Sequence, residues 1–109
     1  MSRASYVIGG VMMSDEEAKG ILRAEFIKLR ASGYSDLVQR LAGKQEMEEI
    51  TGLSGVAYHV EFQGFWDDDE RRHLRVVASI DDGGSRALLP FTDSFTIDPG
   101  GTITEHSPA

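Results

Sequence analysis

A chain of 109 residues, 40% apolar and 27% charged, is the size of one domain. Folding at that length hides roughly 60–70% of the unfolded surface, so no covalent or metal staple is needed. There is no Cys and no Asn, which excludes disulfides, thiolate metal sites and N-linked glycans and fits a bacterial-type cytoplasmic protein. The net charge of −7 is uneven: residues 1–43 hold six Lys/Arg against five Asp/Glu and residues 44–109 five against thirteen, so the second half repels a phosphate backbone and argues against nucleic-acid binding.

Tyr6–Met13 (YVIGGVMM) is apolar but too short to span a bilayer, and Ser14-Asp15-Glu16-Glu17 follows without a small-x-small cleavage site, so neither a membrane span nor a signal peptide is expected. Residues 1–11 read as an edge strand (Tyr6–Met12) or as a leader ahead of the domain, with Met12 and Met13 marking a conceivable internal start. Ser14 to Glu17 has the form of a capping box, in which each side chain accepts from the other's backbone N–H. Ala18, Ile21, Leu22, Phe26 and Leu29 then recur at helical spacing, and Gly33 is a natural stop. Ile27 lies off that stripe, and Gly20, costly in a helix, suggests a close approach to a strand. Ser35 is placed to cap a second helix, Asp36–Ala42, ending at Gly43.

Beyond Gly43 the period changes to two. Glu46–Thr51 is a weak acidic strand with Met47 and Ile50 out of phase, as in a bulged or edge strand. Gly52 to Gly55 is a turn, and Val56, Tyr58, Val60, Phe62, Gly64 and Trp66 alternate with polar residues in a half-buried strand. After the charged loop Asp67–Arg72, the stretch His73 to Thr92 reads as a tight hairpin with Asp82-Gly83 at its tip. That register sets Ile80 opposite Ser85, Ala78 opposite Ala87, Val76 opposite Leu89 and Leu74 opposite Phe91, all apolar partners on one face. Phe95 and Ile97 keep the same phase, Asp98 to Gly101 is a turn, Thr102–Thr104 a short last strand, and residues 105–109 a loose tail. The expected fold is one α+β domain, residues 1–109, with two N-terminal helices on one face of a roughly four-stranded antiparallel meander.

Chemical motifs are sparse. Asp67, Asp69 and His73 have ligand chemistry, yet Arg72 and Ala78 stand where a calcium loop needs Gly and Glu, and the loop's charges balance, so no metal is expected. Gly52-Leu53-Ser54-Gly55 is half of a nucleophile elbow, with Val56 in place of the last Gly and a strand-to-strand setting. Glu46, Glu48 and Glu49 form a solvated acidic run, the glycine pairs build no phosphate loop, and no cofactor or catalytic residue is expected.

On the outer sheet face the hairpin register sets Val77 opposite Leu88, near Phe65 and Pro90, with His59, Glu61, Arg75 and Arg86 as a polar rim. The leading expectation is a non-enzymatic interaction module that binds a protein partner or self-associates, as a homodimer, through this face. The alternative is a small-ligand binder or enzyme with a pocket between the first helix and the sheet, lined by Phe26, Tyr58, Phe62 and Trp66.

The residues Tyr58-x-Val60-Glu61, Phe65-Trp66-Asp67, Leu74-Arg75-Val76, Ser79-Ile80-Asp81-Asp82-Gly83-Gly84, Pro90 and Ser94-Phe95 resemble a pattern in a group of short uncharacterised bacterial α+β proteins. The resemblance covers about the last half of the chain and implies no functional residue. Helices followed by a meander are also similar to small inhibitor and lipoprotein-accessory domains, a fold-level likeness only, and the absent Cys removes a lipid anchor of that kind.

Overall fold

The computed structural model describes residues 10–83 and 91–105, with side chains from Asp15 onward. Two helices, α1 (Gly10–Ser32) and α2 (Tyr34–Leu41), precede five strands: β1 (Gln45–Thr51), β2 (Ala57–Trp66), β3 (Leu74–Asp81), β4 (Phe91–Ile97) and β5 (Ile103–Glu105). The strands form one antiparallel sheet in chain order, β1-β2-β3-β4-β5. This is the expected α+β arrangement, with one strand more than the four or so anticipated. Both helices lie on the same face, α1 over β3 and β4, α2 over β2 and β1.

Side-chain alternation decides which face they cover. Tyr58, Val60 and Phe62 on β2, Leu74, Val76, Ala78 and Ile80 on β3, and Phe95 and Ile97 on β4 are all buried. They meet Ala18, Leu22, Phe26 and Leu29 of α1 and Leu37 and Leu41 of α2 in one core. Phe26 packs its edge on Phe95, with ring centroids 5.0 Å apart and planes at 78°. Ile27, off the stripe, is exposed.

The hairpin register is not the tight one. Leu74 pairs with Ile97, Val76 with Phe95, Ala78 with Asp93 and Ile80 with Phe91, each partner six residues further on than a two-residue Asp82-Gly83 turn demands. Val77 faces Ser94 on one side and Gln63 on the other instead of Leu88. The tight register would have carried Phe95 and Ile97 past the end of β3, beside the charged loop. Burying two such side chains is worth about 1.5–3 kcal/mol each, more than a local turn preference provides. Because the slip is an even number, every side chain keeps its face. The expected partners Ser85, Ala87 and Leu89 lie outside the described residues, as do residues 1–9 and 106–109.

Other local expectations are corrected. Gly10 to Met12 are helical, so the strand reading of Tyr6–Met12 fails there. Ser14 lies within α1 rather than capping it, and the Glu17 carboxylate turns away to the β1–β2 turn, where several donors replace one backbone N–H. The second helix starts at Tyr34 with Gly33 (φ 88°) as its N-cap and no side-chain cap, so Ser35 does not have that role. Gly20 would meet nothing with a Cβ.

The close approach occurs elsewhere. A Cβ on Gly64 would stand 2.7 Å from the Leu41 carbonyl oxygen. The Gly43 N–H donates to the Gly64 carbonyl at 3.0 Å, and Ala42 bridges Gly64, so the end of α2 sits directly on β2. Gly64→Ala should therefore destabilise by about 1–3 kcal/mol, as overpacking against backbone does. Gly20→Ala should stabilise by up to about 1 kcal/mol. Urea denaturation of the two variants measures both, and equal effects would contradict this docking.

Candidate functional site

The outer face of the sheet carries no helix among the described residues, and alternation sends His59, Glu61 and Phe65 of β2 and Arg75 and Val77 of β3 to it together. The face is built in cross-strand rows. Glu49, His59 and Asp81 form one end, then Met47, Glu61, Ser79 and Thr92, then Gln45, Gln63, Val77 and Ser94, and last Phe65, Arg75, Thr96 and Thr104. Phe65 is 49% exposed and Met47 66% exposed, while Val77 is half-buried between polar neighbours. Leu88, Arg86 and Pro90 lie outside the described residues, and the strip that paired Val77 with Leu88 is undone by the register.

Two of the rim residues, His59 and Arg75, have charged partners. The His59 Nε2 lies 3.5 Å from Glu49 and its Nδ1 3.7 Å from Asp81, so this imidazole bridges three strands. Arg75 donates two hydrogen bonds of 2.9 Å to the Asp67 carboxylate, the bidentate geometry a guanidinium favours. Asp68 folds the charged loop: its Oδ1 accepts from the Arg72 and His73 N–H groups, and its Oδ2 lies 3.1 Å from His73 Nδ1. The contact with His73 leads in holding the Asp68 carboxyl below its ordinary value, with the backbone donors adding to it. Asp67, Asp69 and His73 do not converge on a metal-binding geometry; among the described residues no three potential ligands do.

On the inner side, Phe26, Tyr58 and Phe62 are core residues, each under 5% exposed, and Trp66 is half-buried with Tyr34 tilted against it at 6.5 Å. Phe62 borders a cavity, about 270 Å³ in volume, that lies toward β1, and Phe26, Tyr58 and Trp66 are not among its walls. Its other walls are Glu25, Lys28, Leu29 and Ser32 of α1, Arg40 of α2, and Glu46, Met47 and Glu48 of β1. Arg40 donates to both oxygens of Glu46 at 2.9 and 3.2 Å, and Lys28 to Glu25 at 2.8 Å. The Arg40 bonds set the Glu46 carboxyl below its ordinary value.

Sequence reasoning missed Glu17. Its carboxylate accepts from the Ser54 N–H at 2.9 Å, the Ser54 hydroxyl at 2.5 Å and the Tyr58 hydroxyl at 2.9 Å. A Cβ on Gly52 would fall 2.5 Å from that carboxylate, so the glycine makes room for it. Partial burial pushes the carboxyl pKa up, but the donors from Ser54, Tyr58 and Leu53 together outweigh it and hold the group below its ordinary value. Ser54 thus donates both its N–H and its hydroxyl to this carboxylate. No sequence signal pointed to this contact, because water can satisfy the polar groups of an exposed turn as well as a distant carboxylate can.

No family model, curated protein or solved structure matches the chain. No helix among the described residues is long and apolar enough to cross a membrane.

A carboxyl with a depressed folded pKa stabilises above its unfolded value and loses that contribution as pH falls through the folded one. Glu17→Gln should therefore cost about 1–3 kcal/mol at neutral pH, with the difference from wild type shrinking as pH drops through the carboxylate range. Urea midpoints against pH measure this, and a difference independent of pH would remove the charge from the explanation.

Proposed function

We propose that this chain is a non-enzymatic binding module whose contact surface is the outer face of the sheet, and that a second copy of the chain is its first occupant. The observation that carries the reading is the contrast between the two faces. Among the described residues, fifteen buried apolar side chains pack the inner face against the helices, and the cavity of about 270 Å³ lies at their margin toward β1. The outer face leaves Phe65 and Met47 in water between charged and hydrogen-bonding residues, a mixture that partner surfaces show.

Self-complementarity supports the choice of occupant. One end of the face is acidic, with Glu49, Asp81 and Glu61 around His59, and the other presents Phe65 and Arg75. A two-fold axis through the middle rows lays the Arg75 end of one copy over the acidic end of the other, as an isologous interface requires. Val77 lies near that axis. The Arg75–Asp67 pair lessens the attraction without removing the guanidinium's remaining donors. The absence of Cys suits a reducing, cytoplasmic setting.

The test is light scattering on eluting protein over a concentration series, for wild type and for Phe65→Glu. Wild type should move from monomer to dimer as concentration rises, and Phe65→Glu should raise the dimer dissociation constant at least about tenfold, a loss near 1.4 kcal/mol. A wild type that stays monomeric throughout, or a dimer indifferent to Phe65, would refute self-association through this face.

A further inference from the structure

We propose that the outer edge of β1 accepts an extended, Lys/Arg-rich segment of a partner protein as an added strand. This site is distinct from the outer face and does not rest on self-association.

Three observations combine. First, β1 is the terminal strand of the sheet, paired with β2 from Gln45–Gln63 to Thr51–Ala57 without a bulge, and among the described residues no strand lies on its other side. A regular edge of this length offers backbone donors and acceptors to a further strand. Second, carboxylates stand on both faces of β1: Glu46 and Glu48 toward the helices, Glu49 toward the outer face, with Glu61 alongside on β2. Arg40 engages Glu46, whereas Glu48 is exposed and the Glu49 side chain is 65% exposed. Third, the cavity of about 270 Å³ opens beside Glu46, Met47 and Glu48, floored by Leu29 and Phe62, and gives space to side chains on the inner face of an added strand.

Charge selects the occupant. A second copy's β1 would set glutamates against glutamates, and like charges directly opposite on paired strands are destabilising. A segment carrying Lys or Arg at alternate positions places its cations against Glu48 in one phase, or against Glu49 in the other. The same acidic run therefore rejects the chain's own edge and admits a basic one.

The probe is a short synthetic peptide alternating Lys and Val, with two controls: its Glu–Val counterpart, and the Lys–Val peptide N-methylated on every backbone nitrogen, so that neither edge can donate. Binding is followed by amide NMR shifts and hydrogen exchange of the full chain. The Lys–Val peptide should shift the Gln45–Thr51 amides and slow exchange along β1 by about tenfold or more at saturation. The Glu–Val peptide should not bind, and N-methylation, which keeps the charge and removes strand pairing, should abolish the protection. Glu48→Lys with Glu49→Lys, both at exposed positions, should weaken Lys–Val binding about tenfold or more. Absent binding, equal binding of the N-methylated peptide, or shifts centred on Phe65 and Val77 would each overturn the proposal. The last result would instead count for the outer face, so the two readings fail separately.

Discussion

Leu74, Val76, Ala78 and Ile80 present no surface to water, and a strand buried so completely on one side can slide past its neighbour only by pairs of residues. That constraint organises the molecule. It fixes which residues of β2 and β4 face the helices, and it makes α1 lie over the middle of the sheet, where Phe26 meets Phe95. It leaves the opposite side to alternate residues that are polar with few exceptions. The two faces thus acquire different chemistry from one alternation.

The face assignment was legible because period-two patterning depends only on neighbours along the chain. Leu74 to Ile80 and Phe95 with Ile97 could be placed under the helices without knowing how they pair. Pairing itself was not legible. Asp82-Gly83 has a strong local preference for a tight turn, but the choice of register was made by Phe95 and Ile97, whose burial depends on residues of α1 far away in sequence. The helix start failed for the same reason. Ser14 and Glu17 have the spacing of a cap, and only the folded arrangement brings Ser54 and Tyr58 to the Glu17 carboxylate. Of the candidate surface, His59, Glu61, Phe65, Arg75 and Val77 share a face by parity alone. The carboxylates on either side of His59 follow from cross-strand register, which parity does not supply.

Polar side chains in this fold act mainly at joints between elements. Asp98 accepts from the Gly100 and Thr102 N–H groups and shapes the β4–β5 turn, Asp68 does the same for the β2–β3 loop, and Arg40 links α2 to the start of β1. These are short-range or surface bonds, each of modest worth. They set geometry where the core has no side chains to do so. Three of the carboxylates so engaged, Glu17, Glu46 and Asp68, are held below the ordinary carboxyl value by their donors.

The hold of Glu17 on the β1–β2 turn has a practical corollary for anyone modifying the protein. Exposed turns are the usual places to graft an epitope, a fluorophore or an inserted domain. Here Gly52 to Gly55 looks suitable, since Leu53 is fully in solvent. Yet cargo there would crowd the carboxylate that fits against Gly52 and unlatch the first helix from the sheet. The turn around Pro99, whose bonds among the described residues run within itself and its own two strands, is the safer port.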